Sequence, residues 1–418
     1  MREGPRRGIG VERAELEGRA RGLGGRSYDA SSTAPAPPIR RRLALLGPFA
    51  PYRGGIAHFN GALAHALEAR GHAVLPLSFR RQYPALLFPG TSQMEPAQKE
   101  SGQASGAEGP ARVLDTLNPL SWRRAVREVR AWRADAAVFP YWMSFFAPMW
   151  GHIARGLAPG VPSMGLVHNA IGHEPRPGER ALARYALSPC AGLVTLSERV
   201  ASDVEALGLG AIPSRRVAHP AYRQFGGPLA RGEARRALGL PPEAPILLFF
   251  GFVRAYKGLS VLLDAMPILR GSLPDARLVV AGEFYDDLAP YEAQVARLGL
   301  AEAVRIEDGY APAERVRLLF SAADLVVQPY VSATQSGVAQ VAFGLGRPVL
   351  TTDVGGLAEA VGEGGMVVPP QAPRPLAEAA ARFFREGGLR QRLEAGARAM
   401  GEADGWEAVA EAVEALVP

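Results

Sequence analysis

The chain has 418 residues, enough for two domains of ordinary size, and its 48% hydrophobic and 21% charged content is that of a globular protein. A single cysteine, Cys190, excludes a disulfide framework and a cysteine-based zinc site, and it suits a reducing cytoplasm. The net charge of +6 invites a nucleic-acid reading, but residues 1–45 hold ten arginines and five acidic residues and so carry +5 of it; the near-neutral remainder offers no phosphate-tracking groove, and nucleic acid is excluded as a partner.

Residues 1–40 read as a basic, Gly-, Ser- and Pro-rich disordered tail with no apolar run of secretory type. Deleting residues 1–38 is therefore expected to leave folding unchanged, and a fall of many degrees in melting temperature on truncation would contradict this. A first domain is expected over 41–222. Leu43–Leu46 form its first strand, the turn containing Gly54 and Gly55 follows, and a helix over Ile56–Arg70 ends at Gly71. A second strand at Ala73–Leu77 leads into an irregular surface segment over Arg80–Glu108.

The next helix, Leu120–Arg133, puts Trp122, Ala125, Val126, Val129 and Trp132 on one face and Arg123, Arg124, Arg127 and Arg130 on the other. It admits two readings: core packing with a solvated basic face, or rest on an anionic membrane surface, which would make the protein peripheral to the inner membrane face. Residues 136–154 contain no charged side chain across 19 positions, long enough to span a bilayer. Their prolines favour a strand over Ala136–Trp142 and a helix over Phe145–Ala154 instead. Strands at Met164–Val167, Gly192–Leu196 and Arg216–Ala218 continue the alternation, and His219–Pro228 reads as a linker.

The pattern then restarts in a second domain over 223–400. Strands are expected at Ile246–Phe250, Arg277–Ala281, Val304–Ile306, Leu325–Gln328, Pro348–Thr351 and Met366–Val368, with helices between them. Three helices near Pro375–Arg385, Leu389–Met400 and Ala403–Leu416 close the chain, and the last, within 401–418, is expected to pack back toward the first domain. The fold class is α/β, two doubly wound Rossmann-like domains facing across a cleft.

Three turns at strand ends suit an anion. After Ile246–Phe250 come Gly251, Arg254, Lys257 and Gly258, two cations over the carboxyl end of a buried strand. After Leu325–Gln328 comes a polar loop, Thr334, Gln335, Ser336 and Gly337, opening a helix near Val338 whose free N–H groups and dipole favour negative charge. The third is Thr352–Leu357. Together they surround a diphosphate. His168 ends a first-domain strand on the cleft side; its spacing of five from His173 is not that of a helical zinc pair. No nucleophile-elbow or Walker motif occurs, and Asp286–Asp287 is a poor metal holder.

The motifs G-G-I-A-H-F, Q-Y-P-A-L-L-F-P-G, L-N-P-L-S-W, V-H-N-A-I-G-H-E, F-G-F-V-R-A-Y-K-G, A-G-E, T-Q-S-G-V and T-D-V-G-G-L stand in this order. In them the chain resembles the retaining GT-B glycosyltransferases of family 4 (group 1), from about Arg42 onward. The resemblance implies transfer of a sugar from a nucleoside diphosphate sugar to a hydroxyl of a glycan, glycolipid or small-molecule acceptor, with retention, without a metal or other cofactor, as in polysaccharide biosynthesis. It implies that Gly55 lies near the donor phosphate or acceptor, that His168 contacts the donor sugar, and that Arg254 and Lys257 neutralise the diphosphate. One departure stands out. The glutamates that the family usually places eight apart are Ala333 and Val341 here. Sugar and ribose contacts then fall to Gln335, Ser336, Gln340 and Glu283. That departure motivates a second reading, a non-catalytic nucleotide-sugar-binding partner of another transferase. A third, a sugar-nucleotide epimerase, needs a pair of acid/base carboxylates that the sequence does not display.

Overall fold

The computed structural model describes residues 40–84, 92–95, 110–172, 177–403 and 405–418. The tail, most of Q-Y-P-A-L-L-F-P-G and His173 lie outside the described residues.

The first half runs β1 (Arg42–Leu46), α1 (Gly55–Ala69), β2 (Ala73–Arg81), β3 (Ala111–Asp115), α2 (Pro119–Ala131), β4 (Ala136–Tyr141), α3 (Ala147–Leu157), β5 (Ser163–Val167), α4 (Glu179–Leu187), β6 (Gly192–Thr195), α5 (Glu198–Ala206) and β7 (Ser214–Arg216). Its strands form one parallel sheet in the order β3-β2-β1-β4-β5-β6-β7. The second half runs α6 (Arg231–Leu238), β8 (Ile246–Phe250), α7 (Leu259–Ser272), β9 (Arg277–Gly282), α8 (Ala289–Arg297), β10 (Val304–Asp308), α9 (Ala313–Ala322), β11 (Leu325–Gln328), α10 (Gly337–Gly344), β12 (Val349–Thr352), α11 (Leu357–Val361), β13 (Gly365–Val368), α12 (Pro373–Arg385), α13 (Gly387–Glu402) and α14 (Gly405–Glu414). Its parallel sheet has the order β10-β9-β8-β11-β12-β13. In each half the strand order reverses beside the first strand, β1 or β8, and loops at that point open a crevice at the carboxyl ends.

Central strands are buried on both faces, as the unbroken apolar runs of β1, β4, β5 and β8 require. Residues 136–154 divide into β4, a 3₁₀ turn at Ser144–Phe146 and α3, and no helix of the described residues is long and apolar enough to cross a membrane. Helix α2 buries Ala125 and Val129, while its amino end leaves Leu117 and Leu120 exposed.

One stretch of the sequence reading is corrected. The segment expected to be irregular from Arg80 begins inside β2, which extends to Arg81, and a further strand, β3, follows it. In β3 only Val113, Leu114 and Asp115 are buried, because it is an edge strand and lacks the two-sided apolar run. Helix α14 belongs to the first half in space. Val409, Ala410 and Val413 share a core with Leu43, Phe59 and Val138. Each such buried valine or leucine contributes about 1.5–3 kcal/mol. Arg70, at the end of α1, binds Glu414 and Glu407 of α14.

Candidate functional site

A cavity of about 300 Å³ lies where the strand ends of the two halves meet. Lys257, Glu283, Gln335, Ser336, Gly337 and Val338 line it from the second half, Gly54, Gly55 and His58 from the first, and Tyr222 from the connection.

Lys257 is set by local backbone geometry. Strand β8 ends at Phe250 and Gly251 follows it, Ala255–Lys257 make one 3₁₀ turn, and Gly258 stops it in the left-handed region at φ 69° before α7 begins. A Cβ on Gly258 would stand 2.0 Å from the carbonyl oxygen of Pro329, so only glycine lets this turn sit against the exit of β11. Lys257 is consequently buried, 8% exposed, with its Nζ 5.4 Å from the centre of the Tyr330 ring. Among the described residues no carboxylate pairs with it. Burial first, and Arg254 among the lesser influences, holds its pKa below the usual lysine value. Arg254 differs. It precedes the turn in extended backbone, is exposed, and is not among the residues lining the cavity.

Opposite stands the amino end of α10. Ser336 caps it, its Oγ accepting from the Val338 N–H at 3.3 Å and from Gln328 Nε2 at 2.6 Å. Gln335 lines the same cavity, and its buried Nε2 has no hydrogen-bond partner among the described residues. Gln340 is buried and faces a smaller adjoining cavity together with Ser197 and His219. Glu283 is the one carboxylate lining the main cavity among the described residues, and Arg53 of the first half reaches it at 2.7 Å with both side chains almost wholly buried.

Gly55 is the first residue of α1 and lines the cavity. His168 is buried, with its ring edge-on to Phe59 at 4.7 Å and 6.4 Å from His219, and it is not among the lining residues. Its Nε2 has no partner among the described residues. His219 Nδ1 lies 3.0 Å from the carbonyl oxygen of Pro220, which can only accept, so Nδ1 carries the proton. Burial lowers the pKa of His168 to about 3 and of His219 to about 4 from the ordinary 6.5, the first helped by its neighbour His219. Both are therefore neutral at pH 7. As pH falls below 6.5 the unfolded chain takes up protons on these rings that the folded chain refuses, so stability present at pH 7 drains toward pH 4. The expected loss is about 2–3 kcal/mol per histidine. Denaturant titrations at pH 7, 5.5 and 4.5 should show a shallower decline for the His168→Asn, His219→Asn double variant, and an unchanged decline would refute the assignment.

Tyr222, His58, Tyr310, Arg53 and the Asn169–Thr334 contact were not singled out from sequence. Tyr222 donates its hydroxyl to the Gly55 carbonyl at 3.1 Å and its N–H to the Gln340 carbonyl at 3.1 Å, tying the first-half turn to α10. Thr334 Oγ1 donates to Asn169 Oδ1, and Tyr310 donates to Glu95 at 3.2 Å, again from one half to the other. The only legible signal was position: His58 lies in the first turn of α1, and each of the others lies in a loop after a strand or in the connection. Beside the site a larger cavity of about 730 Å³ runs along α1 and shares His58 and Gln224 with it. Among the described residues no group of three His, Cys, Asp or Glu converges as metal ligands would.

Residues 244–386 match the model of the family described as glycosyl transferases group 1. The whole described body superimposes on sucrose-phosphate synthase from Thermosynechococcus elongatus with a TM-score of 0.69 at 20% identity, covering 90% of this chain and 98% of that one. It also superimposes on Anabaena HepE in complex with UDP, with a TM-score of 0.68 at 15% identity, covering 90% and 100%. The fold is GT-B. In sequence the chain is similar to the D-inositol 3-phosphate glycosyltransferases of Streptomyces griseus, 36% identical over 200 residues, and of Streptomyces bingchenggensis, 31% identical over 296 residues. These matches take in 46% and 65% of this chain, and the chain spans 42% and 64% of the relatives' own lengths.

Proposed function

We propose that this GT-B chain is a retaining glycosyltransferase that moves a sugar from a nucleoside diphosphate donor to an acceptor hydroxyl. The observation that carries the reading is Lys257, a buried cation without a carboxylate partner among the described residues, facing the amino end of α10 across a cavity. A buried lysine in that position lacks its counter-charge until an anion binds. The group 1 match over the same half supports a diphosphate as that anion, and Anabaena HepE, of like fold, is a UDP complex.

In the reaction the bond between the anomeric carbon and the diphosphate oxygen breaks, and the acceptor oxygen bonds to the same face of that carbon. The acceptor proton passes to the departing phosphate oxygen. Two negative charges gather on the leaving diphosphate, and Lys257 with the α10 N–H groups meets them, the role that a divalent ion fills elsewhere. Arg254 adds charge from the rim. Glu283 is held by Arg53, which supports front-face attack over a carboxylate nucleophile. The acceptor enters from the larger cavity beside α1, where His58 and Gln224 border both spaces.

A hydrolysis screen of nucleotide sugars, following released nucleotide, tests this. Slow release from at least one donor, accelerated by an acceptor alcohol, is the expected result. Binding of a nucleotide sugar with no turnover under any acceptor would make the chain a binding partner of another transferase. No binding at all would remove the reading.

A further inference from the structure

We propose that the amino end of α2 is a docking surface for an anionic lipid bilayer, with Leu117 and Leu120 entering the acyl region while Arg123 and Arg127 meet the lipid phosphates. None of these four residues lines either cavity of the cleft, so the surface stands apart from the donor reading.

Leu120 is 68% exposed and Leu117 52%, the two most exposed large apolar side chains among the described residues. A lone exposed leucine is ordinary, but here two stand within four residues at the tip of one helix. Local structure fixes them there. Asn118 caps α2, its Oδ1 accepting from the Leu120 N–H at 3.0 Å. Trp122 turns inward, its Nε1 donating to the Asp115 carbonyl at 2.8 Å, and Ala125 and Val129 continue the buried face. Positions 120, 123, 124 and 127 follow helical spacing and share the opposite face over ~10 Å of helix. Arg123, Arg124 and Arg127 are all exposed.

The charge on that face is not balanced from within. Arg124 pairs with Glu128 at 2.7 Å, but among the described residues no carboxylate pairs with Arg123 or Arg127. Between α2 and α3 a groove of about 610 Å³ is lined by Leu120, Val126 and Gly156 and by Arg123, Arg127 and His152. Guanidinium groups beside an apolar floor fit a phosphate that carries hydrocarbon, which is the chemistry of a phospholipid. A nucleic acid would use the arginines and leave the leucines in water. Strand β3 runs parallel to β2 and β1, so the Leu117 turn leaves the sheet on the same side as Gly55. Docking there sets the cleft side of the first half toward the leaflet.

The experiment is sedimentation of the full chain with vesicles of phosphatidylcholine alone and of phosphatidylcholine mixed with phosphatidylglycerol, at low and high salt. The basic tail also attracts an anionic surface, so the deciding comparison is between wild type and variants that keep the tail. An arginine near an anionic leaflet contributes about fivefold in affinity, and a leucine moved into the acyl region about tenfold. The Arg123→Gln, Arg127→Gln variant and the Leu117→Ser, Leu120→Ser variant are each expected to bind mixed vesicles at least about tenfold more weakly. High salt should shrink the arginine effect and leave the leucine effect. Leu120→Ser alone, with a loss of severalfold, serves where the double variant lacks a native circular-dichroism spectrum. Unchanged binding in both double variants would leave the tail as the contact and overturn the proposal, as would no binding by wild type. Loss in the arginine pair with none in the leucine pair would overturn it too, marking a surface for a polyanion such as nucleic acid. Release of nucleotide from a dissolved donor is expected unchanged in both pairs. A matching loss there would mean that these residues shape the enzyme and not a docking surface.

Discussion

Replacing Lys257 by alanine is expected to lower turnover by about 10²–10³-fold, equivalent to roughly 3–4 kcal/mol of lost leaving-group stabilisation. The lysine is buried and close to Tyr330, so its interaction with a diphosphate is little screened. Arg254→Ala should cost only a few-fold, because an exposed charge is worth about 0–1 kcal/mol. The same geometry predicts an opposite effect on the free protein. A buried ammonium without a partner is a burden on folding, and burial lowers its pKa. Lys257→Met should therefore be less active and yet more stable, by about 1–2 kcal/mol. The wild-type chain should gain stability as pH rises toward the ordinary lysine pKa, since the unfolded state there holds a proton that the folded state releases, and Lys257→Met should not. Steady-state kinetics paired with denaturant titration decide the matter. Unchanged turnover in Lys257→Ala would end the assignment, whereas reduced turnover with reduced stability would mean that the lysine serves packing.

Much of this was legible in the residues. The central strands could be placed because each is a run of four to six apolar residues closed by Gly, Pro or a polar turn, and a strand buried on both faces can be little else. Strand β3, A-R-V-L-D, gave no such run, since an edge strand may leave Arg112 in solvent. Lys257 could be found because strand, turn and helix follow one another within thirteen residues. That Arg254 faces outward could not, because its extended backbone, not its spacing, sets its direction. Nor could the burial of His168 against Phe59, a contact between residues more than a hundred apart in sequence. Tyr222 was lost for the same reason. It sits in a stretch read as a linker, and its partners, Gly55 and Gln340, lie on opposite sides of it at distances no local pattern records. Long-range hydrogen bonds are fixed by topology, and topology is only partly written in periodicity.

Gly337→Val is expected to weaken the binding of a nucleoside diphosphate by tenfold or more, and to do so whether or not a sugar is attached. A Cβ at Gly337 would lie 3.4 Å from the Tyr222 ring, and the two further methyls of valine bring contact closer than the ring can accept. Tyr222 is held by its bonds to Gly55 and Gln340, so the strain passes to the α10 amino end and to the first-half turn together. Gln335→Ala should behave differently. Its buried Nε2 has no hydrogen-bond partner among the described residues, so truncation removes an unsatisfied donor and leaves the free chain as stable, or up to about 1 kcal/mol more so. Binding of the bare diphosphate should survive, while binding of the nucleotide sugar falls, because the amide is then the group that meets the sugar. Ala333→Glu completes the set. Ala333 is buried against Tyr330 and Leu357, so a carboxylate there has no partner and should cost several kcal/mol of stability without improving turnover. Calorimetry with a nucleoside diphosphate and with its sugar conjugate, on wild type and the three variants, separates these outcomes. If Gln335→Ala lost the bare diphosphate while Gly337→Val kept it, the phosphate would be held by a side chain and not by the backbone N–H groups of α10.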